Sequence, residues 1–366
     1  MNKKQDINWW NVKFCNKKNI KSLFFAFKKK YISQGTITNK FERILANFLK
    51  VKYVVSVNSG SNALLIILLA LNLKKNDEIL IPDRCWISVA HACALLKLKL
   101  KIVDVKKDIP LINANKIEEK ITKKTRVIIP VHMGGRGADL IKINQIARKY
   151  KIKVIEDACQ ALGSKNSLGL LGTKSFASYF SLSVAKIISS GQGGFIATNN
   201  KNFYKRLILL RTHGVKNILR VEKWGQLGFN FKYTDIQASI AINEFGEITK
   251  RKKRLVEIYK TYFNAFKNYK FIKIIPVDLS IGEIPLYVEV LCKNRKNLLN
   301  FLYKNKIDCR AFYPSIHTAY YLNNHSNSFV NSEKFSKYGF YLPSGPTLKK
   351  EEQYRIINLI KKYFEK

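Results

Sequence analysis

The chain has 366 residues, 46% of them hydrophobic and 12% aromatic, which is enough for two or three domains with real cores and excludes a disordered polyelectrolyte. Lys and Arg number 66 against 25 Asp and Glu, a formal charge of +41. Lys outnumbers Arg roughly four to one, is spread along the whole chain and comes with abundant Asn and Ile. That pattern reads as the compositional bias of an AT-rich genome more than as a surface that reads bases or phosphates, although weak polyanion binding at low salt is expected. The longest apolar run, residues 63–71, is about half of the ~20 residues a membrane span needs. The first ten residues lack the apolar core of an export signal. The six cysteines include no CxxC pair, so a reduced, cytoplasmic protein is expected.

In chain order, residues 1–33 are polar, aromatic and basic and read as an N-terminal arm. Helical periodicity starts near Thr38. An alternation follows: strand 53–57, helix 62–73, strand 78–82, helix 87–98, strand 101–105, strand 126–131, helix 140–150 and strand 153–156. That rhythm predicts an α/β layer with a largely parallel sheet. After about Gly228 the pattern changes. Helices are expected over 235–244 and 250–266, strands over 271–276 and 285–292, and helices near 295–304 and from 350 to 365. The division expected is an arm (1–33), a large α/β domain (34–245) and a smaller α+β domain (246–366).

Three constellations carry chemistry. At Asn58-Ser59-Gly60-Ser61-Asn62-Ala63 a strand runs through a small polar turn into a helix. Such a turn aims backbone amides and a helix dipole at one point, which suits a phosphate; it is also an ordinary N-cap. At Ile155-Glu156-Asp157-Ala158-Cys159-Gln160 an apolar strand ends in two carboxylates, where α/β folds place ligands. Asp157 there can hold a cationic ring nitrogen or a metal, or simply cap a helix. Lys186 sits among small and apolar residues in a chain otherwise full of solvent-facing lysines. Desolvation lowers a lysine's pKa and makes it a nucleophile toward carbonyls, although a loop lysine can also snorkel to water. An anion cradle, then an acid, then an isolated lysine 29 residues further on matches the three needs of pyridoxal phosphate: an amide nest for the phosphate, a carboxylate for the pyridinium and an amine for the aldehyde.

These residues also carry a family resemblance. FSLSVAKIISSGQGG (residues 180–194), IEDACQA (155–161), SGSNAL (59–64), LGFNFKYTDIQASI (227–240), RTHG (211–214), YPSIH (313–317) and YLPSGPTLKKEEQ (341–353) resemble segments of the DegT/DnrJ/EryC1/StrS family of sugar aminotransferases over about residues 34–366. The resemblance implies the fold-type I aminotransferase architecture: a large domain with a mostly parallel mixed sheet between helices, plus a smaller C-terminal α+β domain.

Position by position, Lys186 resembles the lysine that anchors the cofactor and shuttles the proton, and Asp157 the partner of the pyridine nitrogen. Gln160 resembles the residue near the ring hydroxyl, and Gly60, Ser61 and Ser181 the phosphate ligands. Trp86 resembles the aromatic that stacks on the ring, its alternative being a core tryptophan. Asn230 resembles the residue that reaches a neighbouring subunit's phosphate, which implies a homodimer with shared sites. Ser183-Val184-Ala185 departs from the family's HPT before the lysine. Arg84 and Cys85 stand where uncharged residues are usual, with Arg84 facing either substrate or solvent. The activity implied is transamination of a nucleotide-linked keto sugar (an NDP-4-keto-6-deoxyhexose or an NDP-3-keto sugar) by an amino acid, in first place glutamate, for polysaccharide biosynthesis. The alternatives are another fold-type I enzyme, such as a non-sugar transaminase or a sugar dehydratase, and a basic polyanion-binding protein without catalysis. No metal, membrane or specific nucleic-acid partner is expected.

Overall fold

A computed structural model describes residues 6–12, 16–215, 221, 224–322 and 329–365; Cys15 and part of the expected arm lie outside them. The elements are α1 (Lys17–Lys28), α2 (Thr36–Leu49), β1 (Tyr53–Val57), α3 (Gly60–Ala70), β2 (Glu78–Pro82), α4 (Ser88–Leu95), β3 (Lys99–Val103), β4 (Thr125–Ile128), α5 (Leu140–Lys149), β5 (Lys153–Asp157), the short pair β6 (Lys165–Asn166) and β7 (Gly169–Leu170), β8 (Ala177–Ser181), β9 (Gly194–Thr198), α6 (Lys201–Arg211), α7 (Asp235–Gly246) and α8 (Ile248–Phe266). There follow β10 (Lys273–Ile274), β11 (Val288–Leu291), α9 (Arg295–Lys304), β12 (Arg310–Ala311), α10 (Val330–Tyr338), β13 (Gly339–Leu342) and α11 (Lys350–Phe364).

Seven strands form the main sheet in the order β1-β9-β8-β5-β4-β2-β3. The pairs β2–β3, β2–β4, β4–β5 and β5–β8 are parallel, and only β9 runs against its neighbours. The expected mostly parallel mixed sheet is therefore present. Its strands are buried on both faces, as in VVSV of β1 and ILIP of β2, because helices cover both sides. Helix α3 is apolar nearly all round, so it is a core helix rather than an amphipathic surface one. A second sheet, β10-β11-β13-β12, is wholly antiparallel and packs with α8, α9 and α11 around Ile258, Tyr262, Leu298, Phe340 and Ile356.

Several boundaries differ from the sequence pattern for local reasons. The helix expected over 87–98 stops at Leu95, and Lys97 turns left-handed at φ 55°. The chain thus enters β3 two residues earlier than expected, and β3 ends before Asp104, whose carboxylate is taken up by the amides of Val105, Asn331 and Ser332. Strands β8 and β9 and helix α6 were not anticipated, because β8 mixes small and aromatic residues and β9 lies inside a glycine-rich stretch. The N-terminal segment is more than a loose arm. Ile7 bridges to Ile307, Trp10 and Ala26 are buried, and Asn19 reaches Glu244 of α7 at 2.9 Å.

Candidate active site

The carboxyl ends of the parallel strands converge with the start of α3, and Gly60, Ser61, Asp157, Gln160, Ser181 and Lys186 lie around that point. Ser59 caps α3, its Oγ accepting from Asn62 N at 3.1 Å. The amides of Gly60 and Ser61 point out of the first turn with no acceptor among the described residues, as a helix start leaves them. The fit around this turn is close. A Cβ on Gly60 would stand 3.0 Å from Ser181 Cβ and 3.3 Å from Cys159 Sγ, and one on Gly194 would stand 2.6 Å from Gly60 N. Glycine at both positions lets β9 pass against the turn and keeps the amides open to an anion.

Strand alternation separates the two carboxylates at the end of β5. Glu156 is fully buried. It accepts from His132 Nε2 at 3.0 Å and from the amides of Gly172 and Lys174 at 2.7 and 2.8 Å. Burial raises its pKa, but these donors outweigh burial and the net direction is down. His132 Nδ1 accepts from Ala138 N at 3.1 Å, so Nε2 carries the proton that binds Glu156. Asp157 faces the other way. Its Oδ2 accepts the Tyr179 hydroxyl at 2.7 Å and its Oδ1 the Cys159 amide at 3.0 Å. Tyr179 was not anticipated from sequence. It shares strand parity with Ser181, so alternation along β8 placed both on one face and was the available signal.

Ser181, Cys159, Gln160 and Lys186 line one narrow pocket, closed by Leu162, Ile187, Ile284 and Leu286. Gln160 Oε1 accepts Gly134 N at 2.8 Å, and its amide nitrogen has no partner among the described residues. Lys186 is partly buried and its pKa is not depressed, which differs from the sequence expectation. Burial pulls the pKa down, but Tyr287, Cys159 and Asp157 outweigh burial and the net direction is up. Burial also pushes the Tyr287 phenol and the Cys159 thiol up. Both are therefore neutral near neutral pH.

The remaining candidates lie further out. Trp86 is 55% exposed, which excludes the core alternative, and stands edge-on to Tyr313 at 5.6 Å. Arg84 does not face solvent. It is buried, donates to Tyr313 O at 2.7 Å and stacks on Tyr313 and Phe312, with Nε unpartnered among the described residues. Asn230 is exposed, bridges to Thr212 and makes no described contact with the Lys186 pocket. A larger cleft lies between α1, α7 and α8, but much of its charge is internally paired, Arg251 with Glu244, Lys18 with Glu247 and Arg254 with Glu257.

The open amides of the α3 turn, which packs against Ser181 and Cys159, the buried Asp157 carboxylate and the Lys186 amine in the pocket that Ser181 and Cys159 also line are the groups that the phosphate, ring nitrogen and aldehyde of pyridoxal phosphate call for. Comparison with known proteins points the same way. The model of the DegT/DnrJ/EryC1/StrS aminotransferase family matches residues 15–361. The chain is 28% identical over 339 residues to GDP-perosamine synthase of Escherichia coli O157:H7, covering 91% of each. It is 30% identical over 339 residues to 3-oxo-glucose-6-phosphate:glutamate aminotransferase of Bacillus subtilis strain 168, covering 89% of this chain and 75% of that one. Among solved structures, S. venezuelae DesV superposes with a TM-score of 0.93 over all of both chains at 22% identity, which speaks to the fold. The chain therefore belongs to the DegT/DnrJ/EryC1/StrS aminotransferase family and is a pyridoxal-phosphate-dependent transaminase of fold type I.

Proposed function

We propose that the protein aminates a nucleotide-linked keto sugar, a 4-keto-6-deoxyhexose or a 3-keto sugar on a nucleoside diphosphate, with glutamate as the amino donor. The observation that carries this reading is that Lys186 shares one pocket with Ser181, Cys159 and Gln160, that the turn at the start of α3 packs against the same Ser181 and Cys159, and that Asp157 is a charged neighbour of Lys186. Its support for a sugar substrate comes from the relatives, one named a GDP-perosamine synthase and another named for glutamate as donor.

When bound, pyridoxal phosphate supplies an aldehyde for the amine and a protonated ring that takes up the electrons of a carbon acid. The Gly60 and Ser61 amides and the Ser181 hydroxyl would hold the phosphate. Asp157, kept in place by Tyr179 and the Cys159 amide, would keep the ring nitrogen protonated. The Gln160 amide nitrogen would donate to the ring oxygen, and Trp86 would cover the ring face. Lys186 Nζ would anchor the aldehyde and, as a free amine, would carry a proton from the donor's α-carbon to the cofactor. Asn230 serves the site of a neighbouring subunit in a homodimer. The basic surface favours a substrate carrying a diphosphate. The large domain at 34–245 supplies the pocket, and the part from 246 onward closes it with Ile284 and Leu286.

The test is the visible spectrum of the purified protein with pyridoxal phosphate, before and after glutamate. A band that appears on loading, fails to appear in Lys186→Ala and bleaches with glutamate supports the reading, and a screen of keto-sugar nucleotides then names the acceptor. A protein that takes up no cofactor sinks it.

A further inference from the structure

Lys186 sits in an irregular segment between β8 and β9, whose carbonyls cannot all be satisfied by a strand ladder and must find donors elsewhere. The donors for the residues around the lysine are side chains from three remote parts of the chain. Val184 O accepts the Trp10 indole N–H at 3.0 Å. Ala185 O accepts the Tyr287 hydroxyl at 2.7 Å. Ile187 O accepts Arg251 Nη1 at 3.0 Å, and Arg251 is itself paired with Glu244. The carbonyls on both sides of Lys186 are thus held by the N-terminal segment, by the residue that leads into β11 and by α8.

Two of these donors also hold each other. The Trp10 ring stands edge-on to Tyr287, centroids 5.5 Å apart at 74°, and Trp9 packs on Tyr287 at 5.6 Å with the Arg310 guanidinium over its other side at 4.5 Å. Both Trp10 and Tyr287 are buried. A phenol has one proton to donate, and Tyr287 spends it on Ala185 O. Tyr287 is a neighbour of Lys186 that favours its charged form; with its proton on Ala185 O it offers the lysine lone pairs only and can accept from the ammonium. The segment where this chain has Ser183-Val184-Ala185 contributes no aromatic or imidazole side chain of its own, so the tryptophan and tyrosine supply the rigidity from outside.

We propose that Trp10 and Tyr287 are positioning residues for Lys186. Tyr287, oriented by its bond to Ala185 O, accepts from Nζ whenever the lysine is a free ammonium, and Trp10 fixes both that phenol and the loop, so that the amine returns to the Asp157 pocket. The proposal rests on the reading of Lys186 as the amine that carries the proton. The titratable groups facing it are Asp157, Cys159 and Tyr287, with the guanidinium of Arg251 one residue away.

The experiment compares the full chain, stripped of cofactor, with Tyr287→Phe and Trp10→Phe, each losing one donor; the first keeps its ring and the second puts a phenyl in place of the indole. The rate of labelling of Lys186 by a small amine-reactive reagent is followed by mass spectrometry across pH. Loss of the acceptor lets the ammonium give up its proton earlier. The expected result for Tyr287→Phe is a midpoint lowered by about one pH unit, equivalent to labelling about tenfold faster at a fixed pH below both midpoints. Trp10→Phe shifts the midpoint the same way by less, and the double variant shifts it no further than Tyr287→Phe alone, because Trp10 acts through the phenol. A midpoint that stays put in Tyr287→Phe overturns the proposal, whatever happens to the melting temperature. If Tyr287→Phe does not fold, an unshifted midpoint in Trp10→Phe overturns it instead. The readout needs no cofactor, so a protein that fails to bind pyridoxal phosphate defeats the functional reading without touching this one.

Discussion

Glu156 and Asp157 are consecutive carboxylates at the end of one strand, both buried, and they serve different surroundings. On the Glu156 side every donor belongs to the framework: a histidine of fixed tautomer and two backbone amides from the turn after β7. On the Asp157 side the carboxylate is steadied by Tyr179 and one amide, and beyond it lie a thiol, a lysine and a pocket. The first carboxylate ties three segments together. The second keeps a negative charge available to something else. Burial and sequence position alone do not distinguish them; the count and origin of the donors do.

Four substitutions test that contrast. Lys186→Ala should abolish transamination, a loss of more than about 10³-fold in turnover, measured as amino-sugar product; substantial residual product would remove the lysine from the chemistry. Asp157→Asn comes next. The amide still accepts from Tyr179, so urea unfolding should change by no more than about 1 kcal/mol, while turnover falls about 10²-fold or more because the ring nitrogen loses its anion. Glu156→Gln should do the reverse. It turns an NH₂ group toward donors and leaves them unpaired, costing about 3 kcal/mol of stability, with near-normal turnover per folded molecule. Equal behaviour of the Asp157 and Glu156 variants would erase the distinction. Tyr179→Phe is the mildest, costing about 1.5 kcal/mol for a lost hydrogen bond to a charged group, together with weaker retention of pyridoxal phosphate on dialysis.

The pH dependence sharpens the same contrast. The folded-state pKa of Glu156 lies below its ordinary value, whereas an unfolded glutamate titrates near about 4.3. Between the two the unfolded chain binds more protons, so this contribution is full above about pH 5 and fades as pH falls through the folded value. The stability gap between wild type and Glu156→Gln should therefore narrow on acidification. A gap that widens would show that the donors do not favour the charged form.

Much of this site was legible in the sequence because its parts are local. The turn at Ser59–Gly60–Ser61, the strand end at Asp157 and the isolated Lys186 each announce themselves within a few residues. The main-sheet strands from β1 to β5 were legible for the same reason, each being a short apolar run between turn signals. Tyr287 and Trp10 are not legible, because their roles come from contacts across 102 and 174 residues, which no local pattern records; Tyr179 is signalled only by its parity with Ser181 along β8. The direction of the Lys186 shift was misjudged on the same ground: burial is readable from apolar neighbours, but the acidic groups that outweigh it arrive from other elements. The burial of Arg84 under Tyr313 and Phe312 likewise comes from a remote segment and is not written in its own neighbourhood.

The bond from Trp10 to Val184 has a consequence for the order in which the molecule can assemble. Trp10 leaves the ribosome early, its carbonyl partner 174 residues later, and the tyrosine it packs against later still. Domains fold as units from the N-terminal end during synthesis, so the main sheet can close well before β11 exists, with the first dozen residues still waiting for their seat. The lysine loop then becomes rigid only when the last sheet forms and the two tryptophans dock, a late long-range closure of the kind that slows folding. A growing chain would thus carry its reactive amine unaimed until almost all of it is made.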